Sequence, residues 1–406
     1  MKFSGESAEA RTTYRLDLSR SLFYGVLEAG WMTFALVVAI RAFDAPESFK
    51  ALIAGSGPLG LLLAPAVLFV AARMRARPAP AAACLFLGAA VLLTGATLAQ
   101  SFLLFAGFII CSHMSGIQYN SLMLQIYADN YRSSERGSRL GAPFILTALS
   151  SILFSLAGGR ILDADIGYYR IIFAIMVLAA LACAVSTVRI PSTPLSTANV
   201  GNPWQSISLI WKDKFFGYLL GTWMFMGLGN LITIPIRVEY LAAPKFGINA
   251  DNTTIAFLVL VVPATTRILS TRMWGSVFDR LNFVTTRNLL NCFLLLGIAL
   301  FFFTSNLILL TLGMACAGIA MGGGKIFWSL WVTKIAPSEK ASSYMSVHMA
   351  LTGLRGALAP FVGYWILANG NPASVAVVGL VMITVATLLF ERARGHPRLA
   401  TGSAHI

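Results

Sequence analysis

Long apolar runs, separated by short polar ones, dominate the chain. Runs near the ~20 residues that a helix needs to cross a bilayer fall at 20–42, 48–72, 79–99, 101–128, 139–161, 167–188, 215–242, 252–274, 285–304, 306–333, 343–368 and 371–390. This pattern predicts an all-α membrane protein of twelve transmembrane helices. Two pairs of runs are almost continuous, interrupted only by Gln100-Ser101 and Ser305-Asn306, and these breaks predict tight turns at one membrane face. A longer polar stretch, 189–214, carries the Pro, Ser, Thr and Asn of a loop and divides the runs six and six. The expected organisation is a cytoplasmic N-terminal segment (1–19), a six-helix half (20–188), a cytoplasmic linker (189–214), a second six-helix half (215–390) and a cytoplasmic tail (391–406).

Composition removes several function classes. Of 406 residues, 57% are hydrophobic and 11% are charged, against roughly 25% charged in an ordinary soluble domain. That excludes a soluble enzyme, a disordered chain and a nucleic-acid binder, although the net charge is +14. The basic residues are instead sorted by side. The N-terminus and the loops after even-numbered runs hold 21 of the 30, the opposite face holds five, and four lie within runs. This bias places both termini in the cytoplasm and the chain, multi-pass, in the inner (plasma) membrane, with the loop charges against anionic lipid headgroups. Residues 1–19 lack the pattern of a removable signal peptide. The five cysteines are scattered through apolar stretches and the four histidines have no metal-ligand spacing. No phosphate-binding or dinucleotide motif is present. No metal, cofactor or catalytic residue is therefore expected.

The chain repeats at a spacing of 205 residues. Leu146–Leu162 aligns without gaps on Leu351–Leu367 with seven identities in seventeen positions, and at the same spacing Pro58 meets Pro263, Arg75 meets Arg280 and Cys111 meets Cys316. Two parallel six-helix halves, a central linker and cytoplasmic termini resemble the major facilitator superfamily. Gly275-Ser-Val-Phe-Asp279-Arg280, after the eighth run, resembles that family's loop motif of glycine, three residues, an acid and a base. The resemblance implies a conformational latch: Gly275 permits close helix approach, and Asp279, beside Arg280, sits at a positive helix N-terminus. The matching positions in the first half are Val70, Met74 and Arg75, so glycine and acid are both missing there.

Ionisable groups inside a span are costly and point to function. Glu28, Arg267, Lys325 and Arg355 lie well within their runs, and Glu28 is the only acid expected to be deep. Arg237 and Glu239, at the outer end of the seventh run, read as interface anchors or gate residues. The family resemblance implies that the first, fourth, seventh and tenth helices line a cavity, with the second, fifth, eighth and eleventh, the last carrying Arg355, at the interface between halves. The candidate substrate contacts are then Glu28, Trp31, His113, Gln118, Asn120, Asn230, Lys325 and Arg355, with Asn120 and Lys325 matched at the repeat spacing. Tyr24, Tyr119, Trp223 and Trp328 supply further aromatic wall. Each has a plainer reading: a hydrogen bond within the bundle for Glu28 and His113, a fixed ion pair for Arg355, and a snorkelling side chain for Lys325.

Surplus buried positive charge leads to the functional expectation of a secondary-active transporter for a small organic anion. It would work by alternating access as a monomer, with a proton as coupling ion carried by Glu28 or His113. Two alternatives stand beside it. One is proton-driven efflux of hydrophobic or cationic compounds, which the missing Gly-Pro before Gly158-Gly159 disfavours. The other is a polytopic membrane enzyme, for which only His113 with Ser112 or Ser115 offers any hint.

Overall fold

The computed structural model describes residues 7–132, 135–195, 208–336 and 341–400. It lacks described side chains at 136–138, 278–279, 325–326, 329–330, 333–334, 341–343 and 400. Among the described residues, twelve helices are long and apolar enough to span a membrane: α1 Ala8–Arg41, α2 Glu47–Arg73, α3 Pro78–Leu98, α4 Phe102–Asn130, α5 Arg139–Ala164, α6 Ile166–Val188, α7 Lys214–Ala242, α8 Asn252–Val277, α9 Phe283–Phe302, α10 Leu307–Gly324, α11 Tyr344–Ala368 and α12 Pro372–Arg392. Their outward faces are large and apolar; Leu98, Val91, Ile308 and Trp365 are each about 70% exposed, as lipid-facing residues should be.

Local sequence sets many of the helix starts. Ser7, Ser101, Asn306 and Asn371 each accept a backbone N–H of the following first turn, and Pro78 and Pro372 stand at first-turn positions where no N–H is needed. The two polar breaks are the tight turns that the pattern predicts, because Ser101 and Asn306 are themselves the caps. The largest difference from the hydropathy reading is α1, which begins at Ala8, well before the apolar run at 20. A polar stretch continues the helix here because its buried charges neutralise one another. Asp17 is 0% and Arg20 4% exposed, and Arg20 Nε donates to Asp17 Oδ1 at 2.8 Å. Asp17 and Glu239, 0% and 1% exposed, are thus both more buried than the half-buried Glu28.

Two compact units result. The first comprises residues 1–201 with 251–256, and the second 202–250 with 257–406. In the first, α3 runs along α6, and its buried positions are rich in small residues, among them Ala79, Ala82, Ala89 and Ala90. Small residues allow backbones to approach where lipid offers no hydrophobic drive. The opening turn of α8 belongs to this unit. Asp163 at the end of α5 accepts from the Asn252 amide at 2.5 Å and the Thr253 amide at 3.0 Å, while Arg41 Nη1 donates to Asn252 Oδ1 at 2.6 Å. In the second unit α8 lies against α10 so closely that a Cβ at Gly318 would come within 2.5 Å of the Pro263 carbonyl.

Candidate functional site

In the first unit the site residues converge on an irregular stretch of α1. Gly30–Phe34 forms a wide π-type turn, a local irregularity common at functional positions. It presents Trp31, whose Nε1 donates to Ser112 Oγ at 3.1 Å and whose ring stacks on His113 with centroids 4.9 Å apart. Ser56 Oγ spends its single proton on the Ile53 carbonyl at 2.6 Å, so at 2.8 Å it must accept from His113 Nδ1–H. In the neutral form of the ring, Nε2 then carries the lone pair. Gly57 is required beside it, since a Cβ there would lie 2.7 Å from His113 Cε1. Gln118, at a break in α4, donates from Nε2 to the Gly60 carbonyl at 2.5 Å, and its buried Oε1 has no partner among the described residues. Asn120 bonds locally to the Ile117 carbonyl at 3.1 Å. Glu28 is half-buried within electrostatic reach of Tyr24 and Tyr119, whose rings are 4.6 Å apart.

In the second unit the centre is Trp223 on α7. Its ring stacks on Trp331 at 5.0 Å, and the Arg287 guanidinium carbon lies 4.9 Å from its centroid. Its backbone carbonyl accepts from Arg355 Nη1 at 2.8 Å. That approach depends on Gly227, because a Cβ at this position would collide with the Arg355 guanidinium. Arg355 Nε is sealed from solvent and has no partner among the described residues. Arg287 is held by Asn291 Oδ1, which accepts from Nε at 3.0 Å and Nη2 at 2.7 Å. His348 is 0% exposed and meets Trp223, Trp328 and Trp331 at 5.2–5.6 Å. Among the described residues no carboxylate pairs with Arg287 or Arg355. Of the other buried arginines, Arg20 pairs with Asp17 and Arg139 with Glu135, whereas Arg237 has, among the described residues, only the Thr233 hydroxyl at 3.5 Å.

The profile of the Major Facilitator Superfamily matches residues 20–360. The chain belongs to this superfamily. No curated protein matches it in sequence. Among solved structures it is similar to the nucleoside transporter NupG (TM-score 0.72, 14% identity, covering 95% of this chain and 98% of that one). It is similar also to the human organic anion transporter MFSD10 (0.65, 14%, 95% and 100%) and to a D-xylose-proton symporter (0.66, 14%, 93% and 96%). At this identity the likeness is one of fold.

Within that superfamily fold the remaining candidates are placed as follows. Asn230 is half-buried on α7, three residues beyond Gly227. The Lys325 backbone lies in the helix Leu307–Leu330, but its side chain is outside the described residues. Gly275, Asp279 and Arg280 form the end of the helical segment Val262–Arg280 rather than a loop. A Cβ at Gly275 would meet no heavy atom within 4 Å, so the close approach a glycine permits is not made there in this structure. Arg280 is exposed, and the Asp279 side chain is outside the described residues.

Sequence reasoning missed Arg287 and His348. Arg287 sits near the start of α9, where side-counting assigns it to a loop, yet it is 3% exposed. A signal was present for both. His348 and Arg355 are seven residues apart, and Arg287 and Asn291 four, so each pair shares a helix face.

Proposed function

We propose that the chain is a secondary-active transporter that carries a small organic anion by alternating access, with a proton as the coupling ion. The observation that carries this reading is Arg355: a guanidinium inside a membrane helix, tied to one backbone carbonyl and to no carboxylate among the described residues. An uncompensated charge in such surroundings costs several kcal/mol, and an anionic substrate offsets that cost. The neighbours support each half of the reading, one titled an organic anion transporter and another a proton symporter. Glu28, with phenols nearby, is the proposed proton carrier, and His113 the second. Trp31, Gln118, Asn120, Asn230 and Lys325 are proposed to contact the substrate, and Gly275, Asp279 and Arg280 to latch one conformation. The monomer is the proposed working unit, in the inner membrane with both termini cytoplasmic, as the 21-to-5 charge bias supports.

The test is transport by purified protein in liposomes, with substrates first chosen by thermal stabilisation against organic acids, sugars, nucleosides and lipophilic cations at two pH values. Stabilisation by acids alone is the expected result, and stabilisation by lipophilic cations alone overturns it in favour of efflux. Glu28→Gln should abolish uphill uptake while leaving counterflow exchange. Uphill uptake by that variant removes Glu28 from the coupling role.

A further inference from the structure

We infer that Arg287, Arg355 and His348 form one subsite for a ligand group bearing two negative charges on oxygen, walled by Trp223 and Trp331. The inference rests on the reading of the chain as an organic-anion transporter and specifies which anion it prefers. Trp223 joins the three groups. Arg287 lies over its ring at 4.9 Å, Arg355 binds its carbonyl at 2.8 Å, and the His348 ring meets its edge at 5.6 Å. Arg355 is within electrostatic reach of both Arg287 and His348.

Charge counting then selects the ligand. Two guanidiniums share a desolvated neighbourhood with no acid among the described residues, and like charges so placed repel. A monoanion would compensate one of them and leave the other uncompensated. A phosphate ester or a dicarboxylate compensates both, and the planar guanidinium fork suits oxyanions of either kind. Both ring nitrogens of the fully buried His348 lack partners among the described residues, as does Trp331 Nε1. Groups buried in this way normally have partners, and an oxyanion provides an acceptor for His348 and for the indole N–H alike. The aromatic walls exclude water, which strengthens each of these contacts.

The experiment uses the full-length purified protein and follows tryptophan fluorescence, since Trp223 and Trp331 flank the subsite. Phenyl phosphate is titrated against benzoate, and succinate against propionate. The expected result is that the dianion of each pair binds at least tenfold more tightly. Arg287→Gln should bring that ratio close to one, and Arg287→Lys should restore part of it. Preference for phenyl phosphate without preference for succinate identifies the ligand as a phosphate ester, and the converse identifies a dicarboxylate. Equal binding of dianion and monoanion by the wild-type protein, or a ratio unchanged in Arg287→Gln, overturns the inference while leaving the organic-anion reading intact. If no anion of either charge binds, both fall.

Discussion

Removing the Asp17 carboxylate should be among the most damaging single changes outside the proposed site. Asp17 is fully buried; its Oδ1 accepts from Arg20 Nε at 2.8 Å and its Oδ2 accepts from the Tyr127 hydroxyl at 2.9 Å. Arg20 also donates to Ser21 Oγ at 3.0 Å and lies 4.8 Å from the Tyr119 ring centroid. Those contacts hold the guanidinium in place but do not neutralise it. Asp17→Asn therefore strands a buried cation, at a cost of about 3–5 kcal/mol. For a unit of this size, where 1 kcal/mol moves the melting temperature by roughly 2–4 °C, the midpoint should fall by about 6–20 °C. Arg20→Met strands the carboxylate and should cost a similar amount. The double variant strands neither charge, so its loss should be smaller than the sum by about 2–3 kcal/mol. The assay is a double-mutant cycle on thermal or detergent unfolding. Additivity of the two single losses within about 0.5 kcal/mol would refute the claim that this ion pair carries α1 through its polar beginning.

Three further outcomes follow from single contacts. Burial works to raise the Asp213 carboxyl, but hydrogen bonds from Arg398, the Phe216 amide and Tyr344 outweigh it and hold the group down at about 2. Its contribution is therefore complete above the unfolded-state value of ~3.9 and disappears as pH falls from there toward 2. The difference in melting temperature between wild type and Asp213→Asn should accordingly be constant above pH ~4 and close below it. Gly57→Ala should push the His113 ring off Trp31, read as a shift in tryptophan emission, because the added Cβ would lie 2.7 Å from His113 Cε1. Gly227→Ala drives the Arg355 guanidinium from the Trp223 carbonyl. It should weaken anion stabilisation about as much as loss of Arg355 itself, and unchanged anion binding would show that this contact does not position Arg355.

Most of the fold was legible because lipid imposes one rule on every helix. Apolar length alone located all twelve spans, and single polar pairs marked the tight turns before α4 and α10. What stayed hidden was charge buried by partnership. Asp17 and Arg20 look like a solvated segment when read by hydropathy, because their contacts reach Tyr127 and Tyr119 on a helix about a hundred residues away. Arg287 was hidden in the same way, counted with the loops although Asn291, one turn on, holds it inside. The π-type turn that presents Trp31 leaves no mark in composition either.

The repeat itself separates a structural role for Arg355 from a binding role. At the spacing of 205, Arg355 is the counterpart of Ser150. Each reaches the first helix of its own half: Ser150 Oγ donates to the Leu22 carbonyl, and Arg355 Nη1 to the Trp223 carbonyl. Each contact passes beside a glycine, Gly25 in one half and Gly227 in the other. In the first half a hydroxyl is enough to make this helix–helix contact. The guanidinium in the second half thus supplies something that the contact does not need, and it does so without an acid among the described residues. Arg355→Ser should therefore fold and melt within a few degrees of wild type, since it restores the chemistry already used at Ser150. It should also lose most of the anion stabilisation, keeping only what Arg287 supplies. A large loss of stability in Arg355→Ser, with anion binding retained by whatever protein remains folded, would mean that Arg355 is there to hold α11 on α7, and the anion reading would lose its central residue.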